Sequence, residues 1–288
     1  MSMRTDLAVE TAGSLTFDAE GKYEGIRKIE RGSAFDITEI IVEDDESGRK
    51  IGKRKGRYIT LEAPRLSHIS DRYRDMVSEL CEELRSFVGN REKILVAGLG
   101  NDDITPDALG PRTAARVMAT RHIKSEQVDD VFLNSLNDVS VLLTGVLGTT
   151  GIETAEMLKS VADRIKPELV IVIDALASSS FSRLGTSVQI CDAGISPGSG
   201  VENRRKEISQ RTLGIPVVAI GVPTIIDVHT VIESVTGDKP DENMPNMMVT
   251  PKNIDSLINH VSGLISTGLN MALQPSLDFE DAAEISNQ

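Results

Sequence analysis

Ile94-Leu95-Val96-Ala97-Gly98-Leu99-Gly100-Asn101, running on to Thr105-Pro106-Asp107-Ala108-Leu109-Gly110-Pro111, and Leu169-Val170-Ile171-Val172-Ile173-Asp174-Ala175-Leu176-Ala177 are the stretches that decide the fold. Each begins with an unbroken apolar run of strand length, the pattern of a strand covered on both faces of a parallel sheet. A parallel sheet sets the carboxyl ends of its strands along one edge, so Asp107 and Asp174, far apart in sequence, can meet in one crevice. Two carboxylates that meet can share a proton, which is the basis of acid-base hydrolysis without a metal, a serine or a cysteine.

Outward from these stretches the chain alternates strand, loop and helix. Strand 94–98 leads through a glycine-containing loop to a helix over about 111–122, and strand 138–143 leads through Thr144 to Gly151 into a helix over 152–165. Pro167 precedes strand 169–173, a short strand comes next at 187–191, and strand 216–221 precedes Val222-Pro223-Thr224. Thr250-Pro251 opens a helix over 251–272 with Ile254, Leu257, Ile258, Val261, Leu264 and Ile265 on one face. The expected class is α/β, a largely parallel central sheet with helices on both faces. In front of it, 35–42 and 57–62 alternate as a small antiparallel element around a turn at 43–48, and 71–87 has helical spacing. Residues 1–33 are weakly patterned and are expected to form an exposed or loosely held extension.

A chain of 288 residues that is 40% apolar and 26% charged can bury a proper core. Aromatic residues are only 3%, so Ile, Val, Leu, Ala and Met must fill that core. A formal charge of −13 argues against direct nucleic-acid or anionic-membrane partners, which attract clustered Lys and Arg. The basic run 49–57 is read as a solvated loop or hairpin. Cys81 and Cys191 have neither disulfide nor zinc spacing, and the N-terminus lacks the apolar core of a secretory signal, so a soluble cytoplasmic protein is expected.

Several residues surround the two aspartates. Gly98-Leu99-Gly100-Asn101 lacks the third glycine of a dinucleotide fingerprint, and Asn101 is better suited to fixing the loop through side-chain to backbone bonds. Asp107 has helix capping as its plain alternative, and Asp174 the capping of a turn. Desolvation after five apolar strand residues favours a raised pKa for Asp174. Thr149, Thr150, Glu153 and Thr154 stand at another strand end, where they either contact a substrate or cap the following helix. Asp227 is a third acid at that edge. The loop 192–200, with Ser199, is either a substrate clamp or a connector. His68, His122, His229 and His260 occur singly, and no nucleophilic triad is visible.

Together, Arg4-Thr5-Asp6-Leu7-Ala8-Val9-Glu10, Gly52 to Tyr58, Gly98 to Asn101, Thr105 to Pro111, Gly148 to Thr154, Ile173 to Ala177 and Pro197 to Val201 closely resemble the germination protease family of spore-forming bacteria. The resemblance implies an endopeptidase that degrades small acid-soluble spore proteins during germination, located in the forespore and spore core. It implies an aspartic-type mechanism with Asp107 and Asp174 as the essential pair and no cofactor, and a fold similar to that of the hydrogenase maturation proteases, which bind a metal partly through His; no His here follows a matching motif, so no metal is expected. It further implies a homotetrameric zymogen that cuts itself between Asp6 and Leu7. This divides the chain into a short propeptide 1–6 and a single protease domain 7–288, with an antiparallel element over 7–65 and an α/β core over 90–275. Asn101, Thr149, Thr150, Glu153 and Ser199 are the candidate substrate contacts. The propeptide and the segment 227–248 are shorter than is usual in the family. The rival readings are a metal-assisted maturation-type peptidase on the same scaffold and a non-catalytic oligomeric binding protein.

Overall fold

Strands that are apolar at every position must be covered on both faces, and the positions of those covers place the crevice. The computed structural model describes residues 5–64, 66–68, 70–125, 130–198, 205–237, 244–245 and 247–287. Among them ten strands form one sheet. They are β1 (Lys22–Tyr23), β2 (Ile26–Arg31), β3 (Asp36–Val42), β4 (Gly56–Glu62), β5 (Lys93–Leu99), β6 (Asp138–Gly145), β7 (Leu169–Ser178), β8 (Ser187–Cys191), β9 (Val217–Asp227) and β10 (Met248–Val249). The spatial order is β1-β2-β3-β4-β8-β9-β7-β5-β6, with β10 paired to the outer end of β9.

The core β6-β5-β7-β9 is parallel, as the apolar runs require. Strand β8 joins it antiparallel, and the front hairpins continue from β8 through β4. The antiparallel element is therefore an extension of the same sheet. Arg31 and Arg57, on β2 and β4, both pair with Glu39 of β3 and with Glu83 of the helix beneath, tying these strands down.

The helices are α1 (Ala8–Ala12), α2 (Asp45–Lys50), α3 (Tyr73–Val88), α4 (Leu109–Ala115), α5 (Arg121–Ser125), α6 (Val131–Ser135), α7 (Leu147–Thr150), α8 (Thr154–Ile165), α9 (Gln210–Leu213), α10 (Val228–Thr236), α11 (Ile254–Leu273) and α12 (Phe279–Ser286). Ile171 and Ile173 of β7 face the cluster built from α3, α4 and α11. Val170 and Val172 face the opposite cluster, with α1 and α8. Both faces are thus covered, and the alternation within one strand assigns each residue to its side.

Three local expectations are corrected. The helix over 111–122 is two shorter ones, α4 and α5. The turn at 43–48 contains α2, because Asp44 accepts the Ser47 N–H at 2.8 Å as an N-cap and Arg49 and Lys50 fall in the last turn, where cations are favoured. Residues 7–31 are not a loose extension: Leu7 and Ala8 are fully buried, and β1 and β2 belong to the sheet.

From β5 the chain moves outward to β6, then crosses back to β7 on the other side of β5. The connections run over opposite faces, α4 on one and α8 on the other, so the carboxyl ends of β5 and β7 form the topological switch point. Helix α4 approaches this point through glycine. A β-carbon on Gly110 would lie 2.1 Å from the Leu99 carbonyl oxygen and 2.4 Å from that of Ile173. One on Gly98 would lie 2.3 Å from the carbonyl oxygen of Gly110. Because these obstacles are backbone, Gly110→Ala is expected to destabilise the fold by about 2 kcal/mol or more, measured by urea unfolding, and to lower activity by displacing Asp107.

Candidate active site

Asp107 ends the short 3-10 turn Thr105–Asp107 that carries the chain from β5 to α4. Its Oδ2 accepts the Asn101 N–H at 2.7 Å, while Asn101 Oδ1 accepts the Asp103 N–H at 3.1 Å. Helix α4 receives no side-chain cap, so Asp107 is not acting in that role. Burial pushes the Asp107 carboxyl above its usual value, against the Asn101 hydrogen bond.

Asp174 lies within β7, where the strand continues to Ser178 rather than turning. The last rung between β5 and β7 is Gly98 to Ile173, so Asp174 is the first residue of β7 beyond that pairing. It is 7% exposed, and its Oδ1 accepts the Ala175 N–H at 3.0 Å. Burial raises its pKa well above 3.8, and the charges of Asp107 and then Asp6 raise it further. Both carboxyls are thus biased toward their protonated forms, and in the deeper Asp174 the charge of Asp107 adds to the effect of burial. Two carboxyls that share one proton offer a donor and an acceptor, which is what general acid-base hydrolysis needs.

The N-terminal segment lies against the same strand. Asp6 donates its N–H to the Ala177 carbonyl at 3.0 Å, and its Oδ2 accepts the Ala177 N–H at 2.9 Å. Leu7 packs with Val9 and Leu176. Farther on, the Glu10 carboxylate accepts the Ser178 hydroxyl at 2.6 Å and, from Ser179, the N–H at 2.8 Å and the hydroxyl at 2.7 Å. The Asp6 carbonyl oxygen accepts Lys53 Nζ at 2.8 Å and Gln189 Nε2 at 3.2 Å. Beside this contact opens a cavity of about 300 Å³ whose walls include Asp6, Lys53, Leu176, Gln189 and Gly221.

The structure thus brings Asp107, Asp174, Asn101 and the Asp6-Leu7 segment to the end of β5 and β7. Thr149, Thr150 and Glu153 lie after β6. Thr150 uses its hydroxyl within its own turn, on Val146 and Ile152, and Glu153 precedes α8 without a side-chain cap bond. Asp227 caps α10 through the His229 and Thr230 N–H groups. Ser199 lies outside the described residues. Among those described, no three His, Cys, Asp or Glu side chains converge in a metal-holding group, and no helix is long and apolar enough to cross a membrane.

Sequence reasoning missed Lys53, Gln189 and Glu10. Lys53 is concealed in the basic run 49–57, among neighbours of the same charge. Gln189 carried a usable signal: it is a polar residue between Val188 and Ile190 in a strand buried on both faces.

A family model described as germination protease matches residues 5–238. A germination protease of Clostridium tetani is 39% identical, covering 98% of this chain and 98% of its own. One from Caldanaerobacter subterraneus subsp. tengcongensis is 41% identical, covering 99% and 98%. The alignment with the first spans 318 positions against a chain of 288, so that relative carries residues this chain lacks. A solved [NiFe] hydrogenase maturation protease from Thermococcus kodakarensis covers 72% of this chain and 99% of its own, at 19% identity and a TM-score of 0.37.

The raised pKa of Asp174 has a signed effect on stability. Its favourable contribution is complete below the unfolded value near 3.8 and is lost as pH rises toward the folded value, because the folded state holds the proton more tightly. Asp174→Asn keeps an acceptor for Ala175 without the ionisation. The melting temperature of the variant, relative to the native chain, should therefore climb steadily from acid to neutral pH, which thermal unfolding across that range would measure.

Proposed function

Because the chain belongs to the germination protease family, and so is a protease of spore germination, we propose that it is an aspartic-type endopeptidase acting through Asp107 and Asp174 on small acid-soluble spore proteins. In this reading Asp174 holds the proton and Asp107 is ionised. Asp107 takes a proton from a water that attacks the scissile carbonyl, and Asp174 gives its proton to the leaving amine. The observation that carries the reading is the pairing itself: two carboxyls at the switch point, both raised, with the deeper one sensing the charge of the other.

The proposal extends to a zymogen that removes residues 1–6 by cutting between Asp6 and Leu7. Support comes from where that segment lies. The Ala177 N–H holds the Asp6 carboxylate and Leu176 receives Leu7, the complement of an acidic residue followed by an aliphatic one. We place the enzyme in the forespore and spore core as a homotetramer, an assembly that light scattering would measure.

Incubation with an acid-soluble spore protein, followed by mass spectrometry, should show cleavage after an acid and before an Ile-Ala or Leu-Ala pair. Asp107→Asn and Asp174→Asn should each lower that rate by about 10²-fold or more with the fold retained. Native rates in either variant would remove the mechanism.

A further inference from the structure

Asp174 and Gln189 both stand opposite Gly221, one on each neighbouring strand. Directly opposed residues point to the same face, and adjacent strands are about 4.8 Å apart. The two side chains therefore rise as walls on either side of a residue that has none, and the Leu176 side chain lies over Gly221 as the floor between them. The segment Asp6-Leu7-Ala8 runs across this trough, bonded to Ala177 on one side and to Gln189 on the other.

Gln189 is only 6% exposed, and its orientation is set by its partners. The Ala8 N–H can only donate, so Oε1 turns to it, at 2.7 Å, and Nε2 is left for the Asp6 carbonyl oxygen. One amide thus spans the two peptide groups that flank Leu7. Lys53 Nζ reaches the same carbonyl oxygen and also that of Thr5, at 3.3 Å. Two donors on one carbonyl oxygen polarise it, and the oxygen is that of the Asp6-Leu7 bond.

We propose that Lys53 and Gln189 are catalytic residues of the peptidase, whose Nζ and Nε2 hydrogens carry the negative charge that develops on the scissile carbonyl oxygen. The assignment rests on the proposed cut at Asp6-Leu7 and extends to the matching bond of a substrate peptide in the same trough. A water oxygen bonds to the Asp6 carbonyl carbon as its proton passes to Asp107. The carbonyl oxygen becomes an alkoxide between Lys53 and Gln189. Its collapse breaks the bond to the Leu7 nitrogen, which takes the proton of Asp174. The products are the Asp6 carboxyl group and the Leu7 amine, with one water consumed, and the proton on Asp107 restores the pair. Donors fixed before reaction favour the charged transition state over the neutral ground state.

Three variants separate catalysis from docking. Gln189→Glu keeps an acceptor for Ala8 but presents an oxygen to the carbonyl; Lys53→Met removes a donor at similar length; Lys53→Arg keeps one. The full-length chain is followed by intact mass for loss of residues 1–6, and kcat and KM are measured on a synthetic acid-Ile-Ala peptide. The first two variants should lower self-cleavage and kcat by about 10²-fold or more, with KM within about threefold and an unchanged melting profile. Lys53→Arg should recover part of the loss; the unchanged melting profile and KM of the first two variants are what a folding or docking defect would not give. Near-native kcat in both Gln189→Glu and Lys53→Met, or a rise in KM alone, overturns the assignment while leaving the aspartate mechanism standing. If the native chain keeps Asp6-Leu7 intact, or Asp107→Asn still cuts, the proposed function fails and this assignment falls with it.

Discussion

The contact of Gly110 with the carbonyl groups of Leu99 and Ile173 is the constraint on which the rest of the site depends. Helix packing on a sheet normally leaves room for side chains between the layers. Here the backbone of α4 touches the ends of two strands, because neither Gly98 nor Gly110 carries a β-carbon. The helix start is thereby drawn down onto the paired ends of β5 and β7, and Asp107, in the turn just before it, is carried to the edge beside Asp174.

Bringing the carboxyls together works against stability. Asp174 is buried beside like charge, and only one backbone N–H is seen to answer it. A fold selected for stability alone would place a neutral or apolar residue there. Other buried acids are treated differently: Glu39 faces two arginines and Glu10 is met by three donors on Ser178 and Ser179. The contrast within one molecule sets Asp174 apart from those acids, as the buried carboxyl that faces like charge rather than a cation or a set of donors.

Much of this was legible in the chain. Apolar runs at 94–97 and 169–173 identify buried strands because they are too short for a helix and, at 169–173, rich in β-branched residues, and an acid just beyond such a run stands next to a covered core. Periodicity placed α3 and α11. Relations set by distant partners lay beyond the reach of periodicity. Residues 7–12 are too short and too mixed to declare themselves as buried, and they are ordered by β7 and β8, far along the chain. Lys53 differs from its basic neighbours only in what it touches. The break after Ala115 and the helix 45–50 arise from local bonds, among them the Asp44 cap, that a stripe of apolar residues does not encode.

The docking of the N-terminal segment also alters the arithmetic of competition at the trough. Leu7 and Ala8 are buried and Glu10 is bonded to the end of β7, so residues 6–8 are delivered by a very short tether. A ligand held in this way acts at an effective concentration in the millimolar range. A free peptide at micromolar concentration is then outnumbered about a thousandfold at the same position. A free peptide therefore reaches the trough only by displacing Asp6, Leu7 and Ala8 from Ala177 and Gln189.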